Sequence, residues 1–220
     1  MTFEALQICP EHIFRQMGYG RNLPEHRVLA ETDEVMGYVS KIVKPRFCYV
    51  VKRGDLDERS IRVGEVTLSI GEMIARQLRE SEAFAFFVAT VGMEFERYQR
   101  QLSQDGNIVR AYIADVLGSL MAERIADMME QALQESIDKL GWRHTNRFSP
   151  GYCHWPIDEQ PLLFSLIGER PCDIGLNKGC LMTPIKSVSG VIGVGQKVVR
   201  KDYACAFCLR KDCVYRKRKA

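Results

Sequence analysis

The sequence predicts an α+β domain: a largely antiparallel sheet with long helices. Three observations predict it. Residues 107–140 are helical in pattern almost without interruption, residues 83–91 form a short continuous apolar run, and the strand-like segments are mostly adjacent in the chain. We place this domain at residues 1–200, followed by a cysteine-containing basic tail at 201–220.

Taken in order, Pro10 suits the first position of a helix over residues 11–17, which Gly18-Tyr19-Gly20 stops. Val28, Leu29, Val35, Met36, Val39 and Ile42 recur at helical spacing over residues 25–43, before Pro45. Strands follow at 47–51 and 61–68, separated by the turn Arg53-Gly54-Asp55. Ser69 with Glu72 three residues on resembles a capping box for a helix through Glu80. The run Ala83 to Val91, bounded by polar residues and Gly92, suits a sheet interior. A helix over 93–103 and the break at Asp105-Gly106 lead into the long helix. Along it Ala114, Gly118, Ala122 and Ala126 form a stripe of small side chains that allows close approach, most simply by another helix or the sheet. Beyond Gly141-Trp142 the chain turns to short pieces: a helix at 162–167 and strands at 180–182 and 188–194.

Composition narrows the function. Hydrophobic content of 46%, charged content of 27% and a net charge of +3 are those of an ordinary globular protein, not of a polyanion-binding surface, so nucleic acid is not expected as a partner. The basic run Arg216-Lys217-Arg218-Lys219 reads as a solvated terminus. No export signal is visible in residues 1–11, and the longest apolar run is about half of the roughly 20 residues that a membrane helix needs. The expected location is the cytoplasm, with no membrane partner. Eight cysteines there argue for thiols, a metal or a redox centre before structural disulfides.

Two motifs carry the chemistry. In Arg147-Phe148-Ser149-Pro150-Gly151-Tyr152, the arginine can clamp a carboxylate, Pro150 sets a bend, Gly151 lets a ligand approach, and Tyr152 offers an aromatic face to a soft cation. Ser187-Val188-Ser189-Gly190 follows some three dozen residues later. Gly190-x-x-Gly193-x-Gly195 is no nucleotide loop, because the strand-then-helix order and a later acid are lacking.

The R-x-x-x-G-Y pattern, the downstream S-V-S-G and the preceding helix segment Ala122-Glu123-Arg124-Ile125-Ala126-Asp127 resemble the activation domain of cobalamin-dependent methionine synthase. The likeness spans roughly residues 111–190. It implies a free-standing member of that family that binds S-adenosylmethionine and supports reductive methylation of cob(II)alamin on a separate corrinoid methyltransferase, with an electron from a flavodoxin- or ferredoxin-like donor. By the same resemblance Arg147 binds the methionine carboxylate and Asp127 the amino group, Ser149 and Gly151 line the loop, Tyr152 borders the sulfonium and the corrin, and Ser187, Ser189 and Gly190 shape the adjoining wall. The family's second acid has no counterpart in residues 142–146. The corrinoid loop D-x-H-x-x-G is also lacking, so cobalamin is expected on the partner.

The spacing Cys205-x2-Cys208-x4-Cys213 is the second signal. Three thiolates so close can share one zinc ion or iron–sulfur cluster, with Cys180, Cys153 or Cys172 as the fourth ligand; we take Cys180. Reduced thiols or a reversible disulfide are the other readings. A cluster here would make the protein an electron-transfer activator of corrinoid proteins that binds no methyl donor.

Overall fold

A computed structural model of the chain describes residues 1–201. Its centre is a four-stranded antiparallel sheet. The strands are β1 (Arg46–Lys52), β5 (Ala83–Thr90), β9 (Ser187–Gly195) and β6 (Arg143–His144), in the spatial order β1-β5-β9-β6. β5 is buried along its whole length, as its unbroken apolar run requires. Its register against β9 pairs Phe84 with Gly193, Phe86 with Val191 and Phe87 with Gly190.

Alternation along β5 divides the core between two faces. Ala83, Ala85 and Phe87 meet Met129, Leu133 and Ile137 of α5 (Ile108–Ile137), while Phe84 and Phe86 point the other way. The α5 face is completed by α1 (Pro10–Met17), α2 (His26–Ile42) and α4 (Met93–Gln104), whose Ile13, Val35, Val39, Phe95 and Leu102 join its core. α1 stops where the sequence predicts, because Gly18 takes a φ of +100° that residues with a Cβ rarely adopt. α5 begins with the Asn107 side chain accepting the Arg110 N–H. The small-residue stripe has a protein partner: Gly118 lies under the Phe95 ring, where an added Cβ would come within 2.5 Å, and Ala114, Ala122 and Ala126 are buried in the same core.

The opposite face is covered by a small meander of β2 (Asp55–Leu56), β3 (Ser60–Val63) and β4 (Val66–Ser69), then by α3 (Gly71–Gln77) and α6 (Gln160–Ile167). Ile61, Leu68, Ile74, Leu78 and Leu163 pack there with Trp155 against Phe84, Phe86 and Val191. A two-stranded ladder of β7 (Gly175–Leu176) and β8 (Met182–Thr183) precedes β9.

Four local expectations are corrected. Residues 61–68 are not one strand: Val63 pairs with Val66 across a turn through Gly64, which makes a hairpin of β3 and β4. Ser69 does not cap α3. Its backbone N–H donates to the Glu159 carboxylate at 2.9 Å, and the helix starts after Ile70 and ends at Gln77, short of Glu80. Cys180 belongs to a turn, with a φ of +60° and its N–H donated to the Asn177 carbonyl, so the strand begins only at Met182. Among the described residues no helix is long and apolar enough to cross a membrane.

Candidate functional site

After α5 the chain doubles back as β6 along the outer edge of β9, and the pairing continues beyond β6. Thr145 N–H donates to the Gly193 carbonyl, and Phe148 and Val191 exchange both backbone hydrogen bonds, at 3.0 and 2.8 Å. The Arg147 loop and the Ser187–Gly190 segment are therefore joined through their main chains, and Gly190 makes the junction possible. A Cβ there would stand 2.2 Å from the Phe148 carbonyl oxygen and 3.0 Å from the Phe87 ring. The close approach at this glycine is made by the protein's own backbone.

The Arg147 side chain turns toward α5 and is only 9% exposed. Its Nη1 lies 2.9 Å from Asp127 Oδ1 and 3.2 Å from Glu130 Oε2, and its Nη2 lies 3.3 Å from Glu123 Oε2. The three acids sit at i, i+4 and i+7 of α5, one face of a helix. Burial is the largest single influence on the guanidinium and opposes its charge. The fields of Glu130, Asp127 and Glu123, with the Asp127 hydrogen bond, more than offset it and raise the pKa above its already high usual value.

Glu130 is the fixed member of this cluster, since its carboxylate is almost fully buried whereas Asp127 and Glu123 are largely open to solvent. Arg200 Nη2 stands 3.4 Å from Glu130. His144 Nδ1 stands 3.5 Å from it and 2.7 Å from the Thr145 carbonyl oxygen, which requires that nitrogen to carry a proton. Asn146 next door clasps Lys201 by both backbone groups, accepting its N–H at 2.9 Å and donating to its carbonyl at 2.8 Å. The end of the described chain thus passes beside Arg147.

The other predicted residues divide. Ser149-Pro150-Gly151-Tyr152 is a tight turn closed by the Tyr152 N–H on the Ser149 carbonyl, with Gly151 at φ +89°, which matches proline and glycine at the central positions of a type II turn. An added Cβ on Gly151 would meet only Ile157, at 3.5 Å, so the conformation demands glycine there and the space does not. Tyr152 is 72% exposed and projects its ring from the turn, whereas Trp155 is fully buried beneath it. Ser189 points away from Arg147: it is buried and donates to Gln160 Oε1 at 3.0 Å. Ser187 donates to the Pro184 carbonyl at 2.6 Å, and its Oγ lies 2.8 Å from the Thr90 hydroxyl oxygen. Both serines hold protein to protein.

Cys205, Cys208 and Cys213 lie outside the described residues. Cys180 contributes its backbone, accepting from Gln160 Nε2 at 3.2 Å. Among the described residues no group of three or more His, Cys, Asp or Glu could hold a metal ion. Glu123, Glu130, His144 and Arg200 were not anticipated as members of the site. The signal for the two glutamates is their helical phase with Asp127; Arg200 carries none, because only the fold brings it back.

Residues 49–220 match the family model described as the activation domain of vitamin B12-dependent methionine synthase. Among solved structures, the MetH reactivation domain bound to AdoHcy superposes with a TM-score of 0.63, covering 91% of this chain and 74% of that one at 14% identity, a likeness of fold. No curated protein matches.

Proposed function

The chain belongs to the family of vitamin B12-dependent methionine synthase activation domains, and from that premise we propose that it binds S-adenosylmethionine beside Arg147 and serves the reactivation of a corrinoid held by another protein module. One observation carries the reading: Arg147 and Asp127 form an ion pair at the rim of the same β9 edge where the Tyr152 turn is pinned. The amino-acid end of S-adenosylmethionine is itself an ion pair, a carboxylate beside an ammonium. It fits such a spot by exchange, its carboxylate taking a place on the Arg147 guanidinium and its ammonium facing Asp127 or Glu123. One guanidinium–carboxylate contact replaces another, so little net charge is stripped of its partners. Glu130 keeps Arg147 oriented throughout, and the exposed Tyr152 ring offers a face to the sulfonium.

When bound, S-adenosylmethionine supplies the methyl group; the residues of this chain bind and orient it. The corrinoid is supplied by the partner, in keeping with the lack of a D-x-H-x-x-G loop within these 220 residues. The reducing electron comes from a separate donor of the flavodoxin or ferredoxin kind.

Calorimetric titration of the protein with S-adenosylmethionine and with its demethylated product tests this. The intact protein binds, and Asp127→Asn and Tyr152→Ala weaken binding while the melting temperature stays within a few degrees. Arg147→Ala weakens binding by about ten- to a hundredfold, the loss of a charge-assisted pair of hydrogen bonds of about 1.5–3 kcal/mol. It also destabilises the fold, because Glu130 loses its nearest cation. Absence of binding by the intact protein to either compound defeats the proposal.

A further inference from the structure

At the β1 edge of the sheet, on the α6 face, Val88, Phe164 and Ile174 form a small apolar cluster against which two thiols pack. They are Cys48 of β1 and Cys172 of the turn Pro171–Asp173. Neither takes part in the Arg147 site. Their two segments are clamped together, since Arg46, two residues before Cys48, lies 2.5 Å from the carboxylate of Asp173, the residue after Cys172. Cys172 is held at φ 55° and ψ 28°, a left-handed conformation uncommon for a residue with a Cβ. Each thiol is the largest influence on the other's pKa.

We propose that Cys48 and Cys172 form a dithiol site that a small-molecule disulfide oxidises to an intrachain disulfide. The neighbouring Cys172 thiol lowers the pKa of Cys48, and Cys48, then burial, raises that of Cys172. Written from Cys48, the exchange has Cys172 as the resolving sulfur. The Cys48 thiolate attacks one sulfur of the oxidant, forming a mixed disulfide and releasing the oxidant's other half as a thiolate. Cys172 then gives up its proton and attacks Cys48 Sγ, and the second half of the oxidant leaves as a thiolate. The protein loses two electrons and two protons, and one molecule of oxidant becomes two thiols. The apolar cluster and the Arg46–Asp173 clamp hold the two cysteine-bearing segments together before the bond forms. The product ties the edge strand β1 to the segment that leads into β7, β8 and β9.

The test uses the full chain equilibrated with graded ratios of oxidised to reduced glutathione, alkylated and mapped by mass spectrometry without reduction. The expected result is a peptide pair joined through Cys48 and Cys172, both thiols disappearing together, and a melting temperature raised by on the order of 5–10 °C. Cys172→Ser and Cys48→Ser each abolish the joined pair and leave the remaining thiol as a mixed disulfide with glutathione. Full alkylation of both residues in the intact protein at the most oxidising ratio overturns the proposal. So does pairing of either residue with any other cysteine.

Discussion

β5 and β9 lie side by side at the centre of the sheet, both largely buried, and are built on opposite terms. β5 fills space: Phe84, Phe86 and Phe87 on its two faces supply much of the volume of both cores. β9 yields space. At Gly190 the Phe148 backbone crosses, at Gly193 the Ser81 side chain enters to 2.0 Å of where a Cβ would stand, and at Gly195 the Glu82 backbone approaches to 3.0 Å. The register places Gly193 opposite Phe84 and Gly190 opposite Phe87, whose ring lies 3.0 Å from where a Gly190 Cβ would stand. A packed interior sets only the total volume of facing positions, and how the two strands share it is open to other demands. Here the demand is the edge segment 143–151, which reaches the Arg147 site only by lying close on β9.

If β5 serves stability and β9 serves the site, substitutions in the two strands separate the two properties. The largest loss of stability is expected for Phe86→Ala, where removal of a fully buried ring costs about 3–5 kcal/mol. Phe86 faces α3 and α6, away from Arg147, so affinity for S-adenosylmethionine measured below the melting temperature is expected to be unchanged. A tenfold loss of affinity in a protein still folded by circular dichroism would break the division between the strands.

Gly190→Ala comes next, at about 3 kcal/mol: overpacking against backbone cannot be relieved by a rotamer change, and the hydrogen bonds between Phe148 and Val191 are strained or lost. Unlike Phe86→Ala it moves the Arg147 loop. Ligand binding is expected to fall at least tenfold, with faster hydrogen exchange confined to residues 143–152. Exchange that quickens equally along β1 and β5 would mean that Gly190 has no special tie to the loop.

The same contrast explains what was legible in the sequence. β5 and α5 were, because an unbroken apolar run and a sustained 3.6-residue period report burial directly, and burial is what fixes them. The hairpin inside residues 61–68 was not, because Gly64-Glu65 is a weak turn signal between two apolar stretches that read as continuous. Ser69 was misread as a cap because the acceptor for its N–H, Glu159, is 90 residues away in the chain. In the candidate site, Arg147, Asp127, Gly151 and Gly190 were all singled out, and the fold brings Arg147 to Asp127 and Gly190 to Phe148. What the sequence could not reveal was the partner of each. A glycine reports that something comes close and not what, and an arginine reports a need for acids and not which three of α5 answer it.

The smallest expected effect is also the sharpest measure of β9 as a strand that yields space. In Gly193→Ala the new methyl meets Ser81 Oγ, the end of a short side chain whose buried oxygen has no hydrogen-bond partner, together with Leu78 at 3.0 Å. Ser81 can turn partly aside, so the cost is about 1–2 kcal/mol, below that of Gly190→Ala, where the obstacle is main chain. Ser81→Ala alone removes a buried, unpaired hydroxyl and is expected to be neutral or slightly stabilising. Combined with Gly193→Ala it removes the nearest clashing atom. The double variant should therefore recover about half of the loss, with a coupling of about 0.5–1 kcal/mol in a double-mutant cycle followed by urea denaturation. Strict additivity of the two changes would mean that the glycine is required by the strand's own backbone and not by the side chain it admits.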